Sequence, residues 1–361
     1  MRPDFNRFPL LVAWELTQAC MLACRHCRAS AQPEPLPGEL STQEGLALLQ
    51  ELAGYTPKPI LLPTGGDPLS RPDVFVLLKE ARRLGITVGI TPAVTPRLTR
   101  EVVQQFKELN VHQMALSLDG ASPESHDTFR GVPGTFDLAM QALDWARELG
   151  LLTQINTTVT RHTAPELPAL AEILHHKGVA TWEVFFLVPV GRGALLQQLT
   201  AEGYEEVMGF LYQCSRRYQF KIRTTEGPQF RRVVLQKRRL EGDEDGALVG
   251  HGRGVHLSDG NGFVFVSSTG EVCPSGFLPV TGGNIRQQPL LSIYRDHLMF
   301  RELRDKTLLK GKCGVCEYRQ ICGGSRARAW AESGDYLAEE PRCAYTPPRW
   351  AEAPARELEP A

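Results

Sequence analysis

A chain of 361 residues is long for one compact core and predicts a large domain with a smaller companion. Hydrophobic residues make up 42% and charged residues 22%, an ordinary globular composition that excludes a disordered chain. The formal net charge of −1 argues against a nucleic-acid partner, and no run reaches the ~20 apolar residues that a membrane span needs.

Short apolar runs predict strands at residues 10–16, 59–63, 87–91, 113–118, 154–159 and 182–188. Amphipathic stretches between them predict helices at 42–52, 73–84, 99–109, 135–149 and 166–176. Ser41 with Glu44 three positions on has the pattern of a capping box, and Gly85, Gly150 and Gly178 suit left-handed C-caps. Strand–helix alternation of this kind predicts an α/β fold with a parallel sheet over residues 1–194. Ligands of such sheets gather at the carboxyl ends of the strands. Cys20 follows the first strand, Gly65-Gly66-Asp67-Pro68 the second, and Val190-Gly191-Arg192-Gly193 the sixth.

Residues 195–254 read as a bridging helical segment, with one helix at 201–218 and a charge-rich stretch at 231–245. The basic side chains there, Arg231, Arg232, Lys237, Arg238 and Arg239, read as a solvated face, with anion binding as the alternative. Residues 255–345 form a second unit, with a hairpin near 263–272 turning at Ser268-Thr269-Gly270. The tail, 346–361, is rich in Pro, Ala and Glu and is predicted to be disordered.

No signal-peptide hydrophobic run follows the first arginines, so a cytoplasmic, reducing location is expected. Nine cysteines in such a compartment point to metal rather than to disulfides. Cys20-x3-Cys24-x2-Cys27 offers three thiolates from one loop. A [4Fe–4S] cubane normally takes four, so three would leave one iron open to a small molecule. A structural zinc with His26 as a fourth ligand is the alternative. Cys313, Cys316, Cys322 and Cys343 form a second set of four, which spacing alone assigns equally to zinc or to a complete cluster. Cys214, on an amphipathic helix, reads as a core thiol.

The run Trp14-Glu15-Leu16-Thr17-Gln18-Ala19-Cys20, continuing through Cys24-Arg25-His26-Cys27, resembles the signature of the radical S-adenosylmethionine (SAM) superfamily. The resemblance implies a partial (β/α)6 TIM-like barrel and a [4Fe–4S] cluster on Cys20, Cys24 and Cys27. The open iron of that cluster chelates SAM. Reductive cleavage of SAM then yields a 5′-deoxyadenosyl radical, which removes hydrogen from substrate. It also implies a reducing partner such as flavodoxin or ferredoxin. His26 takes the place of the ring near the adenine. Gly65, Gly66, Asp67 and Pro68 resemble the motif that holds the amino group of SAM. Ser117, Asp119 and Arg130 resemble the region that contacts its carboxylate and ribose, and Val188 and Arg192 fall in the segment near the adenine. Asn156-Thr157-Thr158 departs from the usual glycine-bearing fifth-strand motif.

The C-terminal cysteines resemble a SPASM-like extension, a small iron–sulfur domain, in which these four positions ligate an auxiliary [4Fe–4S] cluster. Cys273 stands without the partners of a further cluster, because Ser325 and Arg326 occupy the place of another cysteine. The stretch from Lys310 through Cys322-Gly323-Gly324 to Cys343-Ala344-Tyr345 resembles the radical SAM enzymes of haem d1 synthesis and of the alternative, sirohaem-dependent haem pathway. That implies an iron tetrapyrrole substrate whose propionate loses a hydrogen and carbon dioxide to become vinyl, with the auxiliary cluster taking the spare electron. Maturation of a ribosomally made peptide is the alternative, although a barrel beginning by Leu10 is expected to leave no room for the usual peptide-recognition domain. A non-catalytic iron–sulfur or zinc protein is a third reading. His251, His256 and Tyr345 are weaker candidates to face a substrate iron.

Overall fold

The computed structural model describes residues 4–242 and 256–352. His251 and the end of the charge-rich stretch lie outside the described residues, as does most of the tail. Seven parallel strands follow one another in chain order across one sheet: β1 (Leu11–Glu15), β2 (Ile60–Thr64), β3 (Thr87–Ile90), β4 (Gln113–Ser117), β5 (Thr153–Val159), β6 (Thr181–Phe186) and β7 (Lys221–Thr225). Helices α1 (Thr42–Ala53), α2 (Val74–Arg83) and α3 (Arg100–Glu108) make the first three crossovers. They are followed by α4 (Pro123–Arg130), α5 (Thr135–Glu148), α6 (Leu167–Lys177) and α7 (Ala201–Arg217), with α8 (Gln229–Leu240) after β7. The sheet curls into an open half-barrel with these helices outside it.

Alternation along the strands sets the two faces. In β1, Val12 and Trp14 are buried against the helices and join the main core, so Leu11, Ala13 and Glu15 face the hollow. In β6, Trp182, Val184 and Phe186 join the core in the same way. Ser41 caps α1 with the full reciprocal box to Glu44, and Gly85, Gly150 and Gly178 are left-handed, as anticipated. The expected hairpin is also present. β8 (Phe263–Val266) pairs antiparallel with β9 (Val272–Cys273). β8 pairs parallel with β1 as well, from Leu11↔Phe263 to Trp14↔Val266, so the hairpin extends the barrel sheet.

Three features depart from the sequence reading. Residues 221–225 form β7, which pairs with β6 from Thr181↔Lys221 to Phe185↔Thr225. The basic side chains of the charge-rich stretch are only partly a solvated face: Lys237 and Arg239 are exposed, but Arg231, Arg232 and Arg238 are buried on α8. Arg231 donates to the carbonyls of Ile321 (3.0 Å) and Leu257 (2.7 Å), and Arg232 grips the Glu205 carboxylate of α7. Carbonyls and a carboxylate brought from distant segments supply what water would otherwise give. In the tail, Pro348–Glu352 forms a short helix.

The C-terminal segments pack on the barrel through buried polar groups. Arg328, on the helix Arg326–Ser333, is wholly buried and pairs with Glu340 at 2.9 Å. Its guanidinium also donates to the carbonyls of Leu187, Phe186 and Glu226 at the ends of β6 and β7. Ser325 donates to the buried Glu226 carboxyl, which burial and the neighbouring Asp259 hold well above the ordinary carboxylate range. Among the described residues no helix is long and apolar enough to cross a membrane.

Candidate active site

The loop after β1 presents three free cysteines. Each sulfur accepts one N–H: Cys20 Sγ from Leu22 N (3.4 Å), Cys27 Sγ from Ala31 N (3.3 Å), and Cys24 Sγ from the Arg130 guanidinium (3.6 Å). Such donors offset thiolate charge in a place where little water reaches, since Cys20 and Cys24 are buried.

Three segments at the carboxyl ends of other strands grip this loop. After β2, Gly66 N donates to Thr17 O and Asp67 N to Ala19 O, both at 2.8 Å. A Cβ on Gly66 would lie 2.5 Å from Ala19 O, so only glycine permits this approach. Pro68 opens the short turn Pro68–Ser70 that carries the chain away. After β4, Arg25 N donates to Phe129 O (3.0 Å), and the Phe129 ring stacks on His26 with centroids 4.6 Å apart. After β6, Arg192 donates from its amide to Cys27 O (3.0 Å) and from its side chain to the carbonyls of Cys24 (2.8 Å) and Ala31 (2.9 Å). Gly191 has φ +54°, and a Cβ there would stand 2.2 Å from Arg28 O.

The remaining predicted contacts fall at the same end of the barrel. Asp119 accepts from Thr158 N at 2.7 Å and forms an ion pair with Arg130. Burial alone would raise the Asp119 carboxyl, but the Arg130 guanidinium, together with His26, His126 and the Thr158 amide, outweighs it and holds the group below its ordinary range. Burial likewise drives the His26 imidazole down to about 3, so the ring is neutral. Asp67 is fully buried and accepts from Leu69 N (3.1 Å), Ala93 N (3.2 Å) and Thr95 Oγ1 (3.0 Å). Its carboxylate thus ties the β2 and β3 loops together, while the Gly65–Gly66 backbone lies against the cysteine loop. Ser117 is half-buried on the hollow face of β4, whereas Val188 joins the outer core. Arg28 was not anticipated. It pairs with Glu15 at 3.1 Å and sits 4.5 Å over the Phe265 ring, and its place beside Cys27 was the available signal.

These residues fit a cluster with a small polar ligand. The thiols are free and share one loop. His26 Nδ1 and Arg192 Nη2 are buried polar atoms with no hydrogen-bond partner among the described residues, so they remain available to a guest.

At the other end of the sequence, Cys313, Cys316, Cys322 and Cys343 line one cavity together with Arg232, Lys312 and Arg319. Glu340 N (3.3 Å) and the buried Arg326 (3.9 Å) donate to Cys313 Sγ, and Gly324 N donates to Cys322 Sγ (3.4 Å). Cys273 stays apart from them, buried beside Ala13 and Phe265, with its thiol pushed up to about 12 by burial. Cys214 lies in the main core. Tyr345 also lines the C-terminal cavity, and among the described residues His256 does not.

The family model of the radical SAM superfamily matches residues 14–174. The chain is 40% identical to the AdoMet-dependent heme synthase of Methanosarcina barkeri, over 94% of this chain and 97% of the relative. It is 30% identical to the Fe-coproporphyrin III synthase of the same organism, over 93% of this chain and 88% of that one. The fold matches that of Streptococcus suis SuiB solved with S-adenosylmethionine, with a TM-score of 0.72 at 16% identity, covering 94% of this chain and 78% of SuiB. The chain therefore belongs to the radical SAM superfamily. It is a radical SAM enzyme, and its membership brings SAM and one [4Fe–4S] cluster as cofactors.

Proposed function

We propose that this enzyme completes haem formation by oxidative decarboxylation of propionate side chains on an iron tetrapyrrole, within a reducing cytoplasm. The observation that carries the reading is the 40% identity to an AdoMet-dependent heme synthase, sustained over almost the whole of both chains and well above the 30% to the Fe-coproporphyrin III synthase. In the proposed conversion each propionate loses one hydrogen atom from its β-carbon and one carbon dioxide. A vinyl double bond forms, and one electron per side chain is left for an acceptor.

Cys20, Cys24 and Cys27 would hold the first cluster, which with SAM supplies the hydrogen-abstracting radical. The chain's own groups then prepare the place. Gly65–Asp67, Arg130 and Arg192 fix the loop, and His26, neutral and stacked on Phe129, offers a ring face and a free Nδ1 to the nucleoside. Ser117, Asp119 and Val188 line or brace the same strand ends. Cys313, Cys316, Cys322 and Cys343 would hold an auxiliary [4Fe–4S] cluster able to accept the electron. A tetrahedral zinc needs thiolates only ~3.8 Å apart, given Zn–S bonds of ~2.3 Å. A [4Fe–4S] cubane holds its four thiolates farther apart, and the iron count below separates the two. A small ferredoxin or flavodoxin would deliver the reducing electrons.

The test is anaerobic reconstitution followed by addition of dithionite, SAM and iron-coproporphyrin III. Formation of 5′-deoxyadenosine with stepwise decarboxylation of the porphyrin, and about eight iron atoms per chain for two clusters, is expected. SAM cleavage with no change in the porphyrin would remove the substrate from this reading.

A further inference from the structure

The hollow face of the barrel carries a cation that the loops above it do not use. On β7, Ile222 is fully buried in the outer core, so Lys221, Arg223 and Thr225 face inward. Arg223 is half-buried and lies opposite Glu183 of β6, which lies opposite Asn156 of β5 and, beyond it, Ser117 of β4. These four residues form one polar row across the floor of the barrel. The row sits about one interior layer, roughly 6–7 Å along the strand, below the Asp119–Arg130 pair.

Arg223 makes no hydrogen bond and no ion pair within 4 Å among the described residues. Its neighbour Glu183 accepts from Thr225 Oγ1 at 2.8 Å instead. Burial raises the Glu183 carboxyl, with Arg223 acting against that rise. A half-desolvated carboxyl that already has a donor leaves the guanidinium fork free for a planar, bidentate acceptor. One layer above, Phe185 lies opposite Thr225 and is within ring contact of Phe277 at 6.1 Å; both rings are half-buried. Phe277 belongs to the loop after β9 whose Gly276 lies on Arg28, so this loop reaches over the hollow towards the cysteine loop. An aromatic layer above an unpaired cation is complementary to a flat apolar body with an anionic arm.

We propose that Arg223 binds a carboxylate of the substrate inside the barrel, with the macrocycle lying against Phe185 and Phe277. The proposal rests on the iron-tetrapyrrole reading above and adds to it the residue that anchors one acidic side chain while another reaches the strand ends. Arg223 thereby acts as a positioning residue.

The experiment is a titration of iron-coproporphyrin III into the reconstituted holoenzyme, followed by the change in porphyrin absorption. The wild-type, Arg223→Gln and Arg223→Lys proteins are compared, and so is the tetramethyl ester of the porphyrin. Losing a charge-assisted bidentate contact should weaken binding of the acid to Arg223→Gln by about tenfold to a hundredfold. Arg223→Lys should recover part of that loss. The ester should bind wild-type enzyme as weakly as the acid binds Arg223→Gln, and it should not distinguish the two proteins. This ester comparison in the wild-type enzyme needs no variant to fold. Equal binding of the acid by wild-type and Arg223→Gln, or equal binding of acid and ester by wild-type, would overturn the assignment of Arg223 and leave the substrate reading standing. Failure of wild-type enzyme to bind the porphyrin, while it still cleaves SAM, would overturn the substrate reading and the assignment together.

Discussion

The two cysteine sets are held by different physics. The N-terminal three sit on a loop fixed by backbone contacts: Gly66 and Asp67 amides on one side, the Arg192 clamp and the Phe129 carbonyl on the others. The C-terminal four line a cavity shared with the charged Arg232, Lys312, Arg319 and Glu340; behind it Arg232 pairs with Glu205, Arg326 donates to Cys313, and Arg328 pairs with Glu340. The first site should therefore be sensitive to atoms added where backbones nearly touch, and the second to charges removed. Three thiols beside atoms left free, against four thiols sharing a cavity with cations, is also the contrast that the proposed division between a ligand-admitting site and an electron-accepting one requires.

The largest effect should come from removing one ligand at each site in turn. Cys24→Ala should abolish 5′-deoxyadenosine formation, a loss of about a thousandfold or more for a group whose chemistry has no substitute. Cys322→Ala should keep SAM cleavage and lose porphyrin decarboxylation, with iron falling from about eight to about four atoms per chain. Loss of SAM cleavage in both variants would show that the two sets do not divide the work in this way. Next in size is the charged wall. Arg328→Met leaves Glu340 buried without its partner and orphans three carbonyls, which should lower stability by about 3–5 kcal/mol in urea unfolding. The double variant with Glu340→Gln should recover part of that loss.

The barrel was legible because its strands and helices announce themselves locally. Val12 and Trp14 alternate with Ala13 and Glu15, Ser41 is followed by Glu44, and glycines stand where α2, α5 and α6 end. The motif positions at the strand ends followed from the same regularity. What could not be read is what depends on distant partners. Lys221-Ile222-Arg223-Thr224-Thr225 is a strand because β6 offers it an edge, and its own pattern is too polar to reveal that. Arg231, Arg232 and Arg328 look like solvent-facing charges until Ile321, Leu257, Glu205 and Glu340 fold around them. The sequence reading gave Asp67 a part in holding SAM. Its carboxylate also accepts from Thr95 and Ala93, across a whole helix and strand, and that tie was not legible.

A smaller effect is expected at the crowded backbones. Gly66→Ala places a Cβ 2.5 Å from Ala19 O, with no flexible side chain to yield, and overpacking of this kind costs about 1–3 kcal/mol. The strain falls on the cysteine loop, so it should appear as a raised KM for SAM and as slower cluster reconstitution. Iron bound at the C-terminal set should stay unchanged. Equal loss of iron from both sites would mean that the variant only weakens the fold.

The smallest effect tests the charged wall without breaking it. Arg232→Gln removes a cation that lines the four-cysteine cavity and lies 4.9 Å over the Tyr345 ring, while its size is nearly kept. A unit charge several ångströms from a redox centre is worth on the order of 1–2 kcal/mol at an effective dielectric of about 20, and Glu205 already offsets part of it. The C-terminal centre should then become harder to reduce by some tens of millivolts, about 1 kcal/mol. The centre on Cys20, Cys24 and Cys27 should keep its potential, because the cations that hold its loop are others, Arg130 and Arg192 among them. Spectroscopic redox titration of the two centres reads both values in one sample. A shift confined to the C-terminal centre would show that side-chain charge tunes that site alone, and an equal shift in both would show that the two sites share one electrostatic environment.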